Sequence, residues 1–283
     1  MNFKIAIVVV SYKVEKDLLA CLSSLKKLSP GGDETKIFVI DNDKINLGFA
    51  GGNNSGIKQA LAWGADFVLI LNPDTLADNN LIKEFLGEIR DKPKVGIAGP
   101  KIYFAPGYEF HKDRYDKKDR GKVIWWAGGE IDWKNVMTKH VGVDEIDGGQ
   151  FNIAGETETI PGTAMFIHRE VFTKVGFFDE KYFLYFEESD FCQRVKQAGF
   201  KLWYVPKAVI WHKNAQSSGV GSVLQDYYIT RNRLLFGLKY APLRSKFNLL
   251  EEAVKLLFIG RPWQRRGVFD FFFGKLGKGS FPA

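Results

Sequence analysis

Leu69-Ile70-Leu71-Asn72-Pro73-Asp74-Thr75 is the stretch on which the fold turns. Phe67 to Leu71 is an unbroken apolar run that stops at Asn-Pro-Asp. Proline cannot donate to a strand ladder, and it pushes the residue before it out of helical conformation. The segment therefore predicts a buried strand that ends abruptly and delivers the Asp74 carboxylate to the rim of a sheet. A hard divalent cation such as Mg2+ is satisfied by one or two protein oxygens plus substrate phosphates, so a single carboxylate there can suffice. Asn-Pro-Asp is also an ordinary turn, and the flanking segments decide between the two readings.

Upstream, Lys4-Ile-Ala-Ile-Val-Val-Val-Ser-Tyr12 holds six consecutive apolar residues before a polar stop, which predicts a buried first strand. Its apolar core is short, no small-residue cleavage site follows, and Glu15-Lys16-Asp17 is charged, so the N-terminus reads as part of the fold and not as a secretory signal. Leu18, Leu19, Leu22 and Leu25 at helical spacing predict a helix over 14–28, closed by Pro30-Gly31-Gly32. A second strand over 36–40 carries Asp41-Asn42 at its tip, and a helix over 56–63 leads into the 67–71 strand. Strand and helix in alternation build a parallel sheet, which binds ligands beyond the carboxyl ends of its strands. Between the second and third strands, Asn46-Leu-Gly-Phe-Ala-Gly-Gly-Asn-Asn-Ser-Gly56 reads as a loop opening a helix, suited either to close backbone approach to an anion or to simple connection. No Gly-x-Gly-x-x-Gly or Gly-Lys-Ser/Thr phosphate motif occurs.

Glu187-Glu188-Ser189-Asp190 is the second chemical constellation. Three acids in four positions repel one another, and burial among Tyr182–Phe186, Phe191 and Cys192 would raise a carboxyl pKa towards that of a general base. The alternative is a solvated helix start, where acids meet the helix dipole favourably.

VVVSY, VIDN, NLGFAGGNNSGI, LILNPDT, IPGTAMFIHREVF and FDEKYFLYFEESDFCQRVKQAG, in this order over roughly residues 4–235, together resemble the family 2 glycosyltransferases, in particular their bacterial rhamnosyltransferase-like branch. The resemblance implies a GT-A fold, an α/β unit with a Rossmann-like mixed sheet flanked by helices, that binds a nucleotide-diphosphate sugar and a divalent metal, Mg2+ or Mn2+. It implies that Ser11, Tyr12 and Asp41 contact the nucleoside, with Asn42, Asn46, Gly48, Asn53, Asn72, Gly162 and Thr163 completing the donor site. The metal motif falls on Asn72-Pro73-Asp74, with Asn72 where the family pattern has aspartate, which leaves Asp74 as the metal ligand. His212, at the end of Val209-Ile-Trp-His212, occupies a position from which such enzymes bring a histidine to the metal or diphosphate, and Lys213 and Ser217-Ser218 follow it. The Glu-Asp-x-Asp element aligns with Glu187–Asp190 and makes Glu188 the base that deprotonates the acceptor hydroxyl. Asp190 would then orient the element and Glu187 would point away, if the two glutamates alternate along an extended segment. Residues 104–150, with Trp125-Trp126 and Trp133, fall over the sugar and acceptor, where tryptophan serves either sugar stacking or the core. His111, His140 and His168 carry no functional expectation.

With 45% apolar residues in 283, the chain can bury a full core. Cys21 and Cys192 imply neither a disulfide framework nor a zinc site and suit a reducing cytosol. Charge divides unevenly. Residues 231–283 carry 11 Lys or Arg against three acids, a net of +8, while residues 1–230 carry 29 basic and 30 acidic, a net of −1. The expected organisation is therefore a catalytic domain over 1–230 and a basic amphipathic helical tail over 231–283. Basic residues among Phe and Leu describe either a segment lying on an anionic membrane, here the inner face of the cell membrane, or helices packed on the domain with a basic outer face. No nucleic-acid module accompanies the charge, which argues against nucleic acid as a partner. The expected function is inverting transfer of a sugar, dTDP-rhamnose being one candidate donor, to a saccharide or lipid-linked saccharide acceptor in cell-surface polysaccharide assembly. A sugar-nucleotide nucleotidyltransferase would need a Gly- and Arg-rich loop after the first strand, where Ser11-Tyr12-Lys13 stands, and a noncatalytic binding module would lack the acidic cluster.

Overall fold

The computed structural model describes residues 2–29, 31–213 and 221–282. Strands β1 (Lys4–Ser11), β2 (Glu34–Asp41) and β3 (Phe67–Leu71) pair in parallel around β1, with Ser11 opposite Asp41. The helices α1 (Glu15–Leu25) and α2 (Gly48–Trp63) connect them. Every residue of β3 is buried, as its uninterrupted apolar run requires. After β4 (Thr75–Ala77), α3 (Leu81–Ile89) and β5 (Val95–Phe104), the chain adds β6 (Ile124–Trp126), the hairpin β7 (Gly129–Asp132) and β8 (Met137–His140), and β9 (Gly155–Glu156). β10 (Ala164–His168) then inserts antiparallel between β3 and β5, which makes the sheet mixed. α4 (Arg169–Val175) and α5 (Glu187–Gln197) lead to β11 (Lys201–His212), parallel to β5 and antiparallel to β4. The main path across the sheet runs β2-β1-β3-β10-β5-β11-β4. This is the mixed α/β architecture that the resemblance implies.

Three boundaries differ from expectation for identifiable reasons. α2 begins at Gly48, eight residues earlier than the predicted helix, so most of the glycine-asparagine loop is helical. Its glycines recur every fourth residue because one face of the helix lies directly on β1. A Cβ at Gly52 would stand 2.7 Å from Val10 Cγ1, and one at Gly56 would stand 2.3 Å from Val8 Cγ1. Glycine inside a helix costs roughly 1 kcal/mol relative to alanine, which close helix–sheet packing here offsets. Val209-Ile-Trp-His212 is not a segment of its own but the end of β11, with a register shift between Val205 and Val209 spanning Pro206, which has no N–H for the ladder. The boundary expected at 230/231 falls inside α6 (Val223–Tyr240), the first of three helices completed by α7 (Leu243–Ile259) and α8 (Pro262–Phe272).

The C-terminal helices are docked on the sheet-bearing unit. Leu234 and Phe236 of α6, Leu249 and Ala253 of α7 and Val268 of α8 form one buried cluster with Tyr182 and Phe186. Among the described residues no helix is long and apolar enough to cross a membrane.

Candidate active site

A cleft of about 430 Å³ opens over the carboxyl ends of β1 and β3. Its sheet side is built from strand ends and turns: Tyr12 follows β1, while Asn72, Pro73 and Asp74 follow β3. The turn is fixed locally. The Asn72 N–H donates to the Thr163 carbonyl at 2.9 Å, and the Asn72 carbonyl accepts from the Thr75 hydroxyl at 2.7 Å. β11 then places His212 opposite Thr75, which brings the imidazole to Asp74.

His212 Nε2 stands 3.3 Å from Asp74 Oδ1, and both residues are buried. The approach misses hydrogen-bond geometry, so Asp74 Oδ1 is buried without a hydrogen-bond partner, and the other ring nitrogen of His212, Nδ1, is likewise buried without one. Burial pushes the Asp74 carboxyl pKa up, but the neighbouring His212, the backbone and the charge of Lys213 outweigh it and hold it below the usual value. An ionised carboxylate and an imidazole with unspent lone pairs fit a divalent cation that takes its other ligands from a diphosphate and water. Among the described residues no third His, Cys, Asp or Glu joins them. Lys213 Nζ pairs with Asp17 at 2.6 Å. Ser217 and Ser218 lie outside the described residues.

Glu187 and Glu188 line the same cleft. Both belong to the first turn of α5, so the extended alternation that would turn Glu187 away does not occur. Glu187 is 3% exposed and its Oε2 has no hydrogen-bond partner, while Glu188 is half-buried. Burial pushes both carboxyl pKa values up, that of Glu187 further through the charge of Glu188. Two adjacent carboxyls at a site where burial penalises the charged form do not both ionise readily, and Glu188 is the more open of the two.

Asp190 sits apart from the cleft lining and is fully buried. Its carboxylate accepts from Arg194 Nε at 2.7 Å, Lys239 Nζ at 2.7 Å, Tyr240 Oη at 2.8 Å and Tyr182 Oη at 3.4 Å. Burial raises its pKa, and these donors more than reverse the effect, leaving it lowered. It therefore ties α5 to α6.

Of the residues expected at the donor, Tyr12, Asn42, Asn46, Gly48, Asn72, Gly162 and Thr163 line the cleft. Asn42 shapes it: its Oδ1 accepts from the Leu47 N–H at 2.9 Å and its Nδ2 donates to the Gly48 carbonyl at 3.3 Å. Gly48 has φ +70°, and a Cβ there would stand 2.3 Å from the Phe183 carbonyl oxygen, so only glycine fits. Ser11, Asp41 and Asn53 do not line it. Asp41 is exposed at the end of β2 and accepts from the Asp43 N–H at 2.9 Å, and Asn53 lies within α2 with its amide on the Phe49 carbonyl.

One lining histidine was not foreseen. His140, set aside in the sequence, joins the cleft beside Trp125, with its Nδ1 3.1 Å from the Trp125 carbonyl and burial lowering its pKa to about 4. Trp125 stands edge-on between His140 and His212, with centroids 4.4 and 4.7 Å away, whereas Trp126 is core. The position of His140 depends on a β7–β8 hairpin that brings it back towards β6. The aromatic texture of 125–133 was the one available signal.

A mixed sheet with an acid–imidazole pair at its carboxyl rim and a carboxylate pair in the same cleft fits the class of nucleotide-sugar glycosyltransferases. The chain belongs to the family described as "Glycosyltransferase like family 2", whose model matches residues 7–234, and it is a glycosyltransferase enzyme of that family. It is 26% identical over 182 residues to an N-acetylglucosaminyl-diphospho-decaprenol L-rhamnosyltransferase of Mycobacterium tuberculosis, covering 62% of this chain and 58% of that protein. To the dTDP-rhamnosyl transferase RfbF of Shigella flexneri it is 26% identical over 264 residues, covering 83% of this chain and 80% of that one. Its fold is similar to that of a mannosyltransferase from Pyrobaculum calidifontis solved with GDP-Man and Mn2+, with TM-score 0.50, 12% identity and coverage of 100% and 77% of the two chains.

Proposed function

We propose that the protein transfers a sugar, with inversion, from a nucleotide-diphosphate sugar to a hydroxyl of a saccharide or lipid-linked saccharide. The observation that carries this reading is the shared cleft, lined by Asp74 and His212 and also by Glu187 and Glu188. Asp74 and His212 would hold Mg2+ or Mn2+, which when bound offsets the charge of the departing diphosphate. Tyr12, Asn42 and the N-terminus of α2 lie where the nucleotide would rest, and Gly162-Thr163 where the sugar would. Glu188 takes the proton of the acceptor oxygen as that oxygen attacks the anomeric carbon, and burial, which raises its pKa, makes it the stronger base for that task. The relatives' names point to dTDP-rhamnose and to a prenyl-diphosphate-linked saccharide as the first donor and acceptor to test. Incubating the protein with a prenyl-diphosphate-linked saccharide acceptor, a panel of nucleotide sugars and Mn2+, and following nucleoside diphosphate release, should show metal-dependent turnover of one donor, with an inverted linkage by NMR. Formation of a nucleotide sugar with release of pyrophosphate from a nucleoside triphosphate and a sugar 1-phosphate, in place of that turnover, would assign a nucleotidyltransferase, and a retained linkage would sink the single-displacement mechanism.

A peripheral membrane contact by the unit 231–283 forms part of the same reading. Leu243, Phe247, Val254 and Phe258 recur at helical spacing on α7 and are all more than half exposed, with Phe269, Phe272 and Phe273 exposed on and after α8. An apolar stripe beside a net charge of +8 suits an anionic lipid surface.

A further inference from the structure

The approach to Glu187 holds an unusual backbone. Phe183, Tyr185 and Phe186 have φ of +66°, +67° and +71°, so three bulky residues in four occupy the left-handed region that glycine normally takes. Local sequence does not favour this conformation. Its support comes from α6. Asn232 is fully buried, and its Nδ2 lies 2.8 Å from each of the Tyr182, Leu184 and Tyr185 carbonyl oxygens, two protons shared among three acceptors. Its Oδ1 accepts from Arg231 Nε at 2.9 Å, which fixes the orientation of the amide. Arg231, also fully buried, donates to the Tyr182 carbonyl at 2.9 Å and packs its guanidinium against the rings of Tyr227 and Tyr228. Tyr228 stacks on Phe183, and the Phe183 carbonyl accepts from the Ala50 N–H at the start of α2. Leu184 and Tyr185 line the cleft, and Phe186 is the last residue before α5.

We propose that Asn232, braced by Arg231, is a positioning residue that holds segment 182–186 in its left-handed turns and so aims the Glu187-Glu188 turn of α5 into the cleft. Neither side chain lines the cleft. The pair acts through the backbone of another element, and α6 is by this account part of the catalytic apparatus. The inference rests on the proposed role of Glu188 for its kinetic arm only.

Asn232→Asp replaces one nitrogen by oxygen and turns a donor facing three carbonyls into an acceptor. Two measurements on the full chain decide. By hydrogen–deuterium exchange, the amides of 183–188 should exchange at least about tenfold faster in the variant while those of β1 do not change, a local opening and not global loss of stability. With the donor that the wild-type protein turns over, kcat should fall roughly 100-fold with KM for the donor within about threefold, the scale of a misplacement near 1 Å. Unchanged exchange in 183–188, or an equal rise throughout the chain, overturns the positioning role. If exchange opens as expected but kcat holds, the segment is positioned by Asn232 but the base is not Glu188, so the two readings fail separately. Asn232→Ser, which keeps one donor, is read in the same way if the aspartate variant aggregates. Failure of both to fold makes the residue structural and overturns the proposal.

Discussion

Asp74 reaches the cleft from a strand end fixed by its own neighbours, whereas Glu188 reaches it from a helix whose entry is fixed by a side chain 47 to 50 positions downstream of the carbonyls it holds. On the sheet side the chain ends a strand with proline and lets Thr75 close the turn, which uses ordinary conformations. On the acidic side it places Phe183, Tyr185 and Phe186 in left-handed backbone, at roughly 1–2 kcal/mol each, and recovers that cost through buried hydrogen bonds from Asn232 and Arg231. A sheet rim is generic and inherits its precision from the ladder. The acidic side has no ladder behind it, so its precision is imported from the C-terminal helices.

Asp74→Ala tests the sheet side and should have the largest effect. Turnover should fall by roughly 1000-fold, the upper scale for losing a group that stabilises leaving-group charge. Calorimetry with Mn2+ and dTDP should show loss of metal-dependent binding at the same time. Near-normal activity with the same metal requirement would move the metal away from Asp74 and break the contrast.

Glu188→Gln tests the acidic side. It should lower kcat roughly 100-fold and leave donor affinity nearly intact, because an amide keeps the shape and removes the base. Asp190→Asn, a change outside the cleft, should keep turnover within about tenfold. If the two results exchange places, the base is Asp190 and the sequence alignment is two residues off.

Asp190→Asn should nonetheless cost stability, because it weakens the tie from α5 to Lys239 and Tyr240 of α6. Removing a buried charge from its partners is expensive, but Lys239 is 44% exposed and screened by water, so about 2 kcal/mol at pH 7 is expected by urea unfolding. The sign with pH follows from the lowered pKa of Asp190. A carboxyl with a depressed folded-state pKa contributes stability above its unfolded value of about 3.9 and loses it as pH falls through the folded one. The gap between wild type and variant should therefore be full at neutral pH and close in acid below about 3.9. A gap that widens in acid would mean that Asp190 is not the charged partner of Lys239 and Arg194.

Legibility in the sequence followed the same division. β3 was readable to the residue, since a fully buried strand is an apolar run with a sharp stop. The extent of α2 was not, because glycine and asparagine read as loop unless one knows that Val8 and Val10 lie directly beneath them. The place of Asp74 could be inferred from its own strand, but the pairing with His212 needed the antiparallel register of β4 on β11. His140 and Asn232 were invisible for a related reason: each owes its place to a tertiary return of the chain, and a lone His or a helical Asn carries no local pattern that announces it.

The smallest effect concerns the tail, where packing and membrane contact were weighed as alternatives. The helices use different faces for the two. Leu249, Ala253 and Val268 are buried against the catalytic unit, whereas Leu243, Phe247, Val254 and Phe258 point away from it. Truncation after Tyr240 would therefore strip a buried face as well as an exposed one, and point changes on the exposed stripe make the cleaner test. Phe247→Ser and Phe258→Ser together should weaken binding to liposomes containing anionic lipid by roughly tenfold or more, since burying each phenylalanine contributes about 1.5–3 kcal/mol when fully realised. Turnover of a soluble acceptor analogue should change by less than about twofold, because neither residue lines the cleft and the packed face stays whole. Equal liposome binding by the variant and the wild type would leave the C-terminal helices with a single role, that of bracing the acidic wall through Asn232, Lys239 and Tyr240.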